Sequence, residues 1–126
     1  MRLNPDCIRD ILLTAEEHTG YGKFMDYNLE SEYERLKQYS HEEVMYHIKQ
    51  CELSGLLTKV TYFLGGNCLI HDISPAGHEF LANIRQDNNW NKTKEIAKSV
   101  GSYSLSALSK IASEVIAKII NSKLGL

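Results

Sequence analysis

YSHEEVMYHIKQCELSGL, residues Tyr39 to Leu56, spells one helix with a start, an apolar face and a stop. Ser40 takes the N-cap position and Glu43 follows three residues later, so Ser-x-x-Glu predicts a capping box. Val44, Ile48 and Cys51 then recur at helical spacing, with His47 on the same side. Gly55 supplies the left-handed residue past the helix end. Leu56 stands where a Schellman motif places an apolar contact back to the Cys51 turn.

Downstream, LLTKVTYFL (residues 56–64) and CLIHDI (residues 68–73) suit a pleated, half-buried surface. Gly65, Gly66 and Asn67 between them tolerate the positive φ of a hairpin turn. Ser74-Pro75 restarts a helix whose apolar face is Phe80, Leu81 and Ile84. Gly77 there permits close packing against the ribbon. Helix, two-stranded ribbon, helix is the back half of a winged helix-turn-helix domain. The expected fold is therefore α+β and mainly helical: a winged helix-turn-helix-like domain with a two-stranded wing over residues 1–87, and a C-terminal helical extension over residues 88–126.

Upstream, Asn4 caps and Pro5 begins a helix that runs to about His18 and ends before Gly20. Its buried stripe is Ile8, Ile11, Leu12 and Ala15. Residues 21–39 admit two readings. Phe24, Tyr27 and Leu29 suit a short strand; Ser31-x-x-Glu34 would cap a short helix with Tyr33 and Leu36, the first helix of the helix-turn-helix. The alternation Tyr33, Arg35, Lys37, Tyr39 fits a strand equally. The expected core joins Val44, Ile48, Leu57, Leu69, Phe80 and Leu81 to Ile8, Ile11 and Leu12.

Asp87-Asn88-Asn89 looks like a hinge, and Trp90 opens a basic helix (WNKTKEIAKSV) that Gly101-Ser102 stops. In the last helix, about Ser104 to Lys123, Leu105, Leu108, Ala112, Val115 and Ile119 step by 3, 4, 3, 4 along one seam, as in helix–helix packing. Ile111, Ile116 and Ile120 add a second flank. That arc is wider than one packing face needs and predicts self-association as a homodimer. The alternative is a lid that covers the monomer's own core. Lys110, Glu114 and Lys118 exclude a membrane span.

The chain has 126 residues, enough for one domain and an appendage, with 43% apolar and 24% charged residues, as in soluble globular proteins. Cys7, Cys51 and Cys68 are scattered and odd in number, which argues against a disulfide framework. The N-terminus carries charges within its apolar run and has no cleavage-like site, so a cytoplasmic protein is expected. Charge is unevenly spread. Residues 1–89 hold 8 Lys and Arg against 14 Asp and Glu, a net −6; residues 90–126 hold 6 Lys against 2 Glu, a net +4. An acidic body is unlike a dedicated DNA-binding domain, whose affinity comes largely from phosphate neutralisation.

MRLNPDCIRDILL at the start, Tyr39-Ser40-x-Glu42-Glu43-Val44-x-Tyr46-His47-Ile48, the stop Ser54-Gly55-Leu56-Leu57, and Ser74-x-x-Gly77-His78-Glu79-Phe80-Leu81-x-x-Ile84-Arg85 together resemble small phage- and prophage-borne bacterial proteins of a "domain of unknown function" family. The resemblance runs through Trp90 into the helical tail. It implies a winged-helix-like fold and no assigned activity. Cys51 and Leu53 depart from that family's general pattern on the central helix.

On that helix the outward residues are Glu42, Tyr46, Lys49, Gln50 and Leu53. Lys49 and Gln50 suit base edges or phosphates, but Glu42, Glu43 and Glu52 would be repelled by them. His47 and Cys51 have the i, i+4 spacing of two metal ligands, yet lack a close second pair and fall on the core side, so no metal is expected. His78-Glu79 has no second histidine at position 82, which is alanine. The cysteines sit among apolar neighbours, where thiols are inert. Gly65-Gly66 lacks the Lys-Ser/Thr of a phosphate loop. No enzyme and no cofactor are expected.

The leading expectation is an interaction protein that binds a protein partner or itself. The alternative is a DNA-binding regulator acting as a dimer, with Lys92, Lys94 and Lys98 on phosphates. A third reading is an inhibitor whose acidic body mimics nucleic acid.

Overall fold

A computed structural model describes residues 1–126. The elements are α1 (Pro5–His18), β1 (Met25–Tyr27), a one-turn 3₁₀ helix (Glu34–Leu36), α2 (His41–Leu53), β2 (Val60–Tyr62), β3 (Cys68–Ile70), α3 (Pro75–Ile84), α4 (Asp87–Val100) and α5 (Leu105–Leu124). The protein is α+β and mainly helical, with a three-stranded antiparallel sheet ordered β1-β3-β2. It divides into two units, Met1–His78 and Glu79–Leu126. No helix is long and apolar enough to cross a membrane.

In the first unit, α1 begins on the Asn4 side chain, which accepts from the backbone N–H groups of Asp6 and Cys7. Ser40 caps α2 by accepting from the Glu43 N–H at 3.1 Å. The expected box differs in its return arm, because the Glu43 carboxylate accepts from the Asn4 amide instead. At the other end Gly55 has φ +77°, and its N–H and that of Leu56 bond back to Glu52 and Cys51. This is a Schellman motif, with Leu56 buried beside Cys51.

Residues 21–39 hold both a strand and a helical turn. Met25 pairs with Ile70 and Tyr27 with Cys68, so β3 becomes the central strand and the sheet has one strand more than the wing. Ser31 does not cap a helix. Its hydroxyl accepts from the Asn28 N–H at 2.9 Å, and the helical turn is too short for a first helix of ordinary length. No strand forms over Tyr33–Tyr39. Tyr33 instead donates its hydroxyl to the Asp26 carbonyl on the edge of β1, at 2.6 Å.

The wing is a tight hairpin in register Val60 with Ile70 and Tyr62 with Cys68, turning through Gly66 at φ +82°. Ile8, Ile11, Leu12, Val44, Ile48 and Leu57 are buried as expected. Leu69 is only half-buried, because alternation along β3 turns Cys68 and Ile70 inward and Leu69 away. Gly77 packs so closely that a Cβ there would enter the Leu56 carbonyl and the Ile73 side chain.

In the second unit, Phe80, Leu81 and Ile84 are buried, and the Phe80 and Trp90 rings meet edge to face at 6.5 Å between centroids. Asp87–Asn89 is not a hinge but the first turn of α4, which has no side-chain cap at Gln86 and which Asp87 favours through its charge at the helix N-terminus. Trp90, 2% exposed, lies inside that helix rather than opening it. Gly101, at φ +76°, ends α4, and Ser104 caps α5 by accepting from the Ala107 N–H. The two helices pack antiparallel as a hairpin.

Candidate functional site

The outward face of α2 is built by the same cap that begins the helix. Val44, His47, Ile48 and Cys51 turn inward, so Glu42, Lys49 and Leu53 are exposed and Tyr46 and Gln50 are half-buried. His47 is fully buried and both its nitrogens are used. Nε2 accepts from the Asn4 N–H at 2.7 Å, so the proton sits on Nδ1, which donates to the Glu43 carbonyl at 2.7 Å. It is a pin between the start of α1 and α2, and offers no free lone pair to a metal.

Lys49 is not free for a phosphate. Its ammonium lies 3.2 Å from the Glu52 carboxylate and 4.7 Å from the centre of the Tyr62 ring. Tyr62 donates its hydroxyl to the same carboxylate at 3.1 Å, and the second Glu52 oxygen accepts the Val60 N–H at 2.9 Å. Burial alone would raise the Glu52 pKa. The Val60, Lys49 and Tyr62 hydrogen bonds outweigh that and hold it below the ordinary value. Burial first, then the Glu52 charge and its hydrogen bond, raise the Tyr62 hydroxyl. Glu52 and Tyr62 therefore clasp the helix to the wing, and the sequence reading passed over both roles. The Lys49–Glu52 spacing of i, i+3 was the available signal. His41 was also missed: its Nε2 donates to the Gly66 carbonyl at 2.7 Å and its ring stacks on Tyr27.

The three cysteines are free and buried. Burial, with Glu43 and Asp10 adding to it, pushes the Cys7 thiol up to about 12. Burial with Asp26 and Glu52 does the same to Cys68, also about 12, and burial raises Cys51 further. None is a nucleophile at neutral pH.

The expected self-association seam divides in two. Leu108 and Ala112 are fully buried and Val115 is 9% exposed, on the helix that packs against α4, so half of the seam is spent within the chain. Leu105 and Ile116 are half-buried, whereas Ile119 is 40% and Ile120 50% exposed. Of the expected basic contacts, Lys92 and Lys98 are exposed, and Lys94 lies half-buried over the Trp90 ring at 5.4 Å.

Between α4 and α5 runs a groove of about 750 Å³ with an apolar floor of Ile96, Ile111, Val115 and Ile119. Lys92, Lys110, Lys118 and Lys123 line it too, against the single acid Glu114. The groove thus joins an apolar floor to a predominantly basic rim. The sequence showed its lysines and isoleucines but not that they converge.

A family model described as "Hypothetical protein (DUF2513)" matches residues 2–104. The chain belongs to the DUF2513 family. An uncharacterized protein of Haemophilus influenzae (strain ATCC 51907 / DSM 11121 / KW20 / Rd) is 31% identical over 124 residues, covering 95% of this chain and 99% of that relative. No solved structure matches significantly. The family match ends at Ser104, where α5 begins, whereas the Haemophilus relative aligns over nearly the whole length of both chains.

Proposed function

We propose that this DUF2513 protein is a winged-helix interaction module that binds a protein partner and performs no chemistry of its own. The order α1, β1, helical turn, α2, β2, β3, with strands arranged β1-β3-β2, supports the winged-helix reading. In that fold the helix before the wing is the one that enters the major groove of DNA. The observation that carries the proposal is the state of this helix. Its single lysine, Lys49, is held by Glu52 and Tyr62, while Glu42 and Glu43 stand at its N-terminal end, the end that would meet base edges. Acids placed there repel phosphate, and the affinity that phosphate contacts normally supply is lost. The raised thiols support a binding rather than a catalytic role, and free buried cysteines accord with a reducing cytoplasm. A phage or prophage setting, implied by the resemblance of the sequence blocks, belongs to the same proposal.

The DNA-binding alternative draws support from Lys92 and Lys98, both exposed on α4. Fluorescence anisotropy of a labelled random-sequence duplex, titrated with the full chain at two salt concentrations, separates the readings. The proposal expects no response at micromolar protein in physiological salt. Submicromolar binding that weakens steeply as salt rises would replace it with the regulator.

A further inference from the structure

We infer that the groove between α4 and α5 receives an acidic amphipathic helix of a partner protein. This names the partner class for the protein-binding reading above and rests on it. Three observations converge. First, Ile111, Val115 and Ile119 recur every four residues along α5 and, with Ile96 of α4, make one apolar row. Such a row accepts the i, i+3/i+4, i+7 anchors of a helix laid alongside it. The stretch Lys110 to Lys123 spans roughly 20 Å at the helical rise, the length of about 14 residues of a partner helix.

Second, α5 has 20 residues and α4 has 14, so α5 outruns its neighbour by about 9 Å at the helical rise. Ile119 and Ile120 in the C-terminal part of α5 are 40% and 50% exposed. A floor open on this side takes side chains from a long element lying across it; it does not enclose a small ligand.

Third, charge selects the partner. Four lysines line the groove against one glutamate, and all five are exposed. A second copy applied by the same face would set this excess of ammonium groups against itself, which opposes pairing. Glutamates or aspartates flanking the apolar anchors of a partner would meet the same lysines favourably. This replaces the symmetric tail dimer that the seam pattern alone predicts.

The test uses the full chain and two labelled synthetic peptides of about 14 residues. Both carry leucine at i, i+3, i+7 and i+11; one has glutamate at the flanking positions and the other lysine. Anisotropy is read at 50 and 300 mM salt. The acidic peptide is expected to bind at least about tenfold tighter than the basic one, and to weaken several-fold at high salt as screening shortens the reach of the lysines. Lys110→Glu combined with Lys118→Glu should reverse the preference, and both side chains are exposed, so the fold survives. Ile119→Asp should weaken the acidic peptide without altering the thermal midpoint by more than a few degrees. Failure of the acidic peptide to bind, equal binding of both, or indifference to the double reversal overturns the inference. So does sedimentation of the free chain as a dimer that excludes the peptide, which would make a second copy the occupant. Displacement of the peptide by monomeric dodecanoate at matching affinity would assign the groove to a small anionic amphiphile and equally overturn it. These failures leave the protein-binding reading standing, whereas tight salt-sensitive DNA binding removes that reading directly.

Discussion

Replacing Gly77 with alanine sets two effects of opposite sign against each other in one methyl group. Gly77 lies in the first turn of α3 and its N–H donates to the Ser74 hydroxyl. Helix propensity alone favours alanine by up to about 1 kcal/mol. Packing opposes it. The new Cβ would enter the backbone carbonyl of Leu56, with Ile73 Cγ2 at 2.7 Å on its other side. A carbonyl cannot swing aside as a side-chain end does, and this one already accepts the Ser74 N–H at 3.1 Å. Overpacking of this kind costs about 1–3 kcal/mol or somewhat more, and weakening the Ser74 bond adds about 1 kcal/mol. The packing cost exceeds the propensity gain, so Gly77→Ala is expected to destabilise by about 1–3 kcal/mol net. For a chain of this size that lowers the thermal midpoint by roughly 3–12 °C, measured by circular dichroism. A midpoint equal to or above that of the parent would show that α3 does not rest on the Leu56 carbonyl.

Ile48 is fully buried on α2, and Ile48→Ala should cost about 2–5 kcal/mol in urea unfolding; an unchanged midpoint would mean that the helix is rotated. Cys7, Cys51 and Cys68 should resist a disulfide reagent at pH 8 in the native chain and titrate as three thiols after denaturation, with fast native labelling counting against their burial. Glu52 has a depressed folded pKa, so its contribution is present above the unfolded carboxylate value and is lost as pH falls through the folded one, below 4.5. Glu52→Gln should therefore be less stable at neutral pH and lose less stability in that acid window, and parallel pH curves would contradict the clasp.

What could be read from residues alone was what local interactions decide. The Asn4 and Ser40 caps, the apolar stripes of α1 and α2 and the stop at Gly55 all act within a few residues, and each left its mark in the order of side chains. Strand β1 did not, because Met25 becomes a strand by pairing with Ile70, far along the chain. Asp87–Asn89 misled for a related reason. Polar residues that suit a hinge also suit a first helical turn, and the buried Trp90 that follows anchors the helix. In the tail, the heptad-like spacing of Leu108, Ala112 and Val115 announced a packed face but not its owner, since α4 of the same chain satisfies it as well as a second copy would. The acidic character of the α2 face was legible from Glu42, Glu43 and Glu52. The tie of Lys49 to Tyr62 was not, because it waits on the hairpin to fold back.

The two outer strands of the sheet are three residues long, and each has an outward backbone group already taken by a side chain. Tyr33 occupies the Asp26 carbonyl on one border, and Glu52 occupies the Val60 N–H on the other. An incoming extended segment would find few backbone partners, and would have to displace these two side chains to add itself to the ladder. Short, plugged borders of this kind discourage edge-to-edge aggregation and strand addition alike. On the protein-binding reading proposed above, a partner would then meet the helices in preference to the sheet borders.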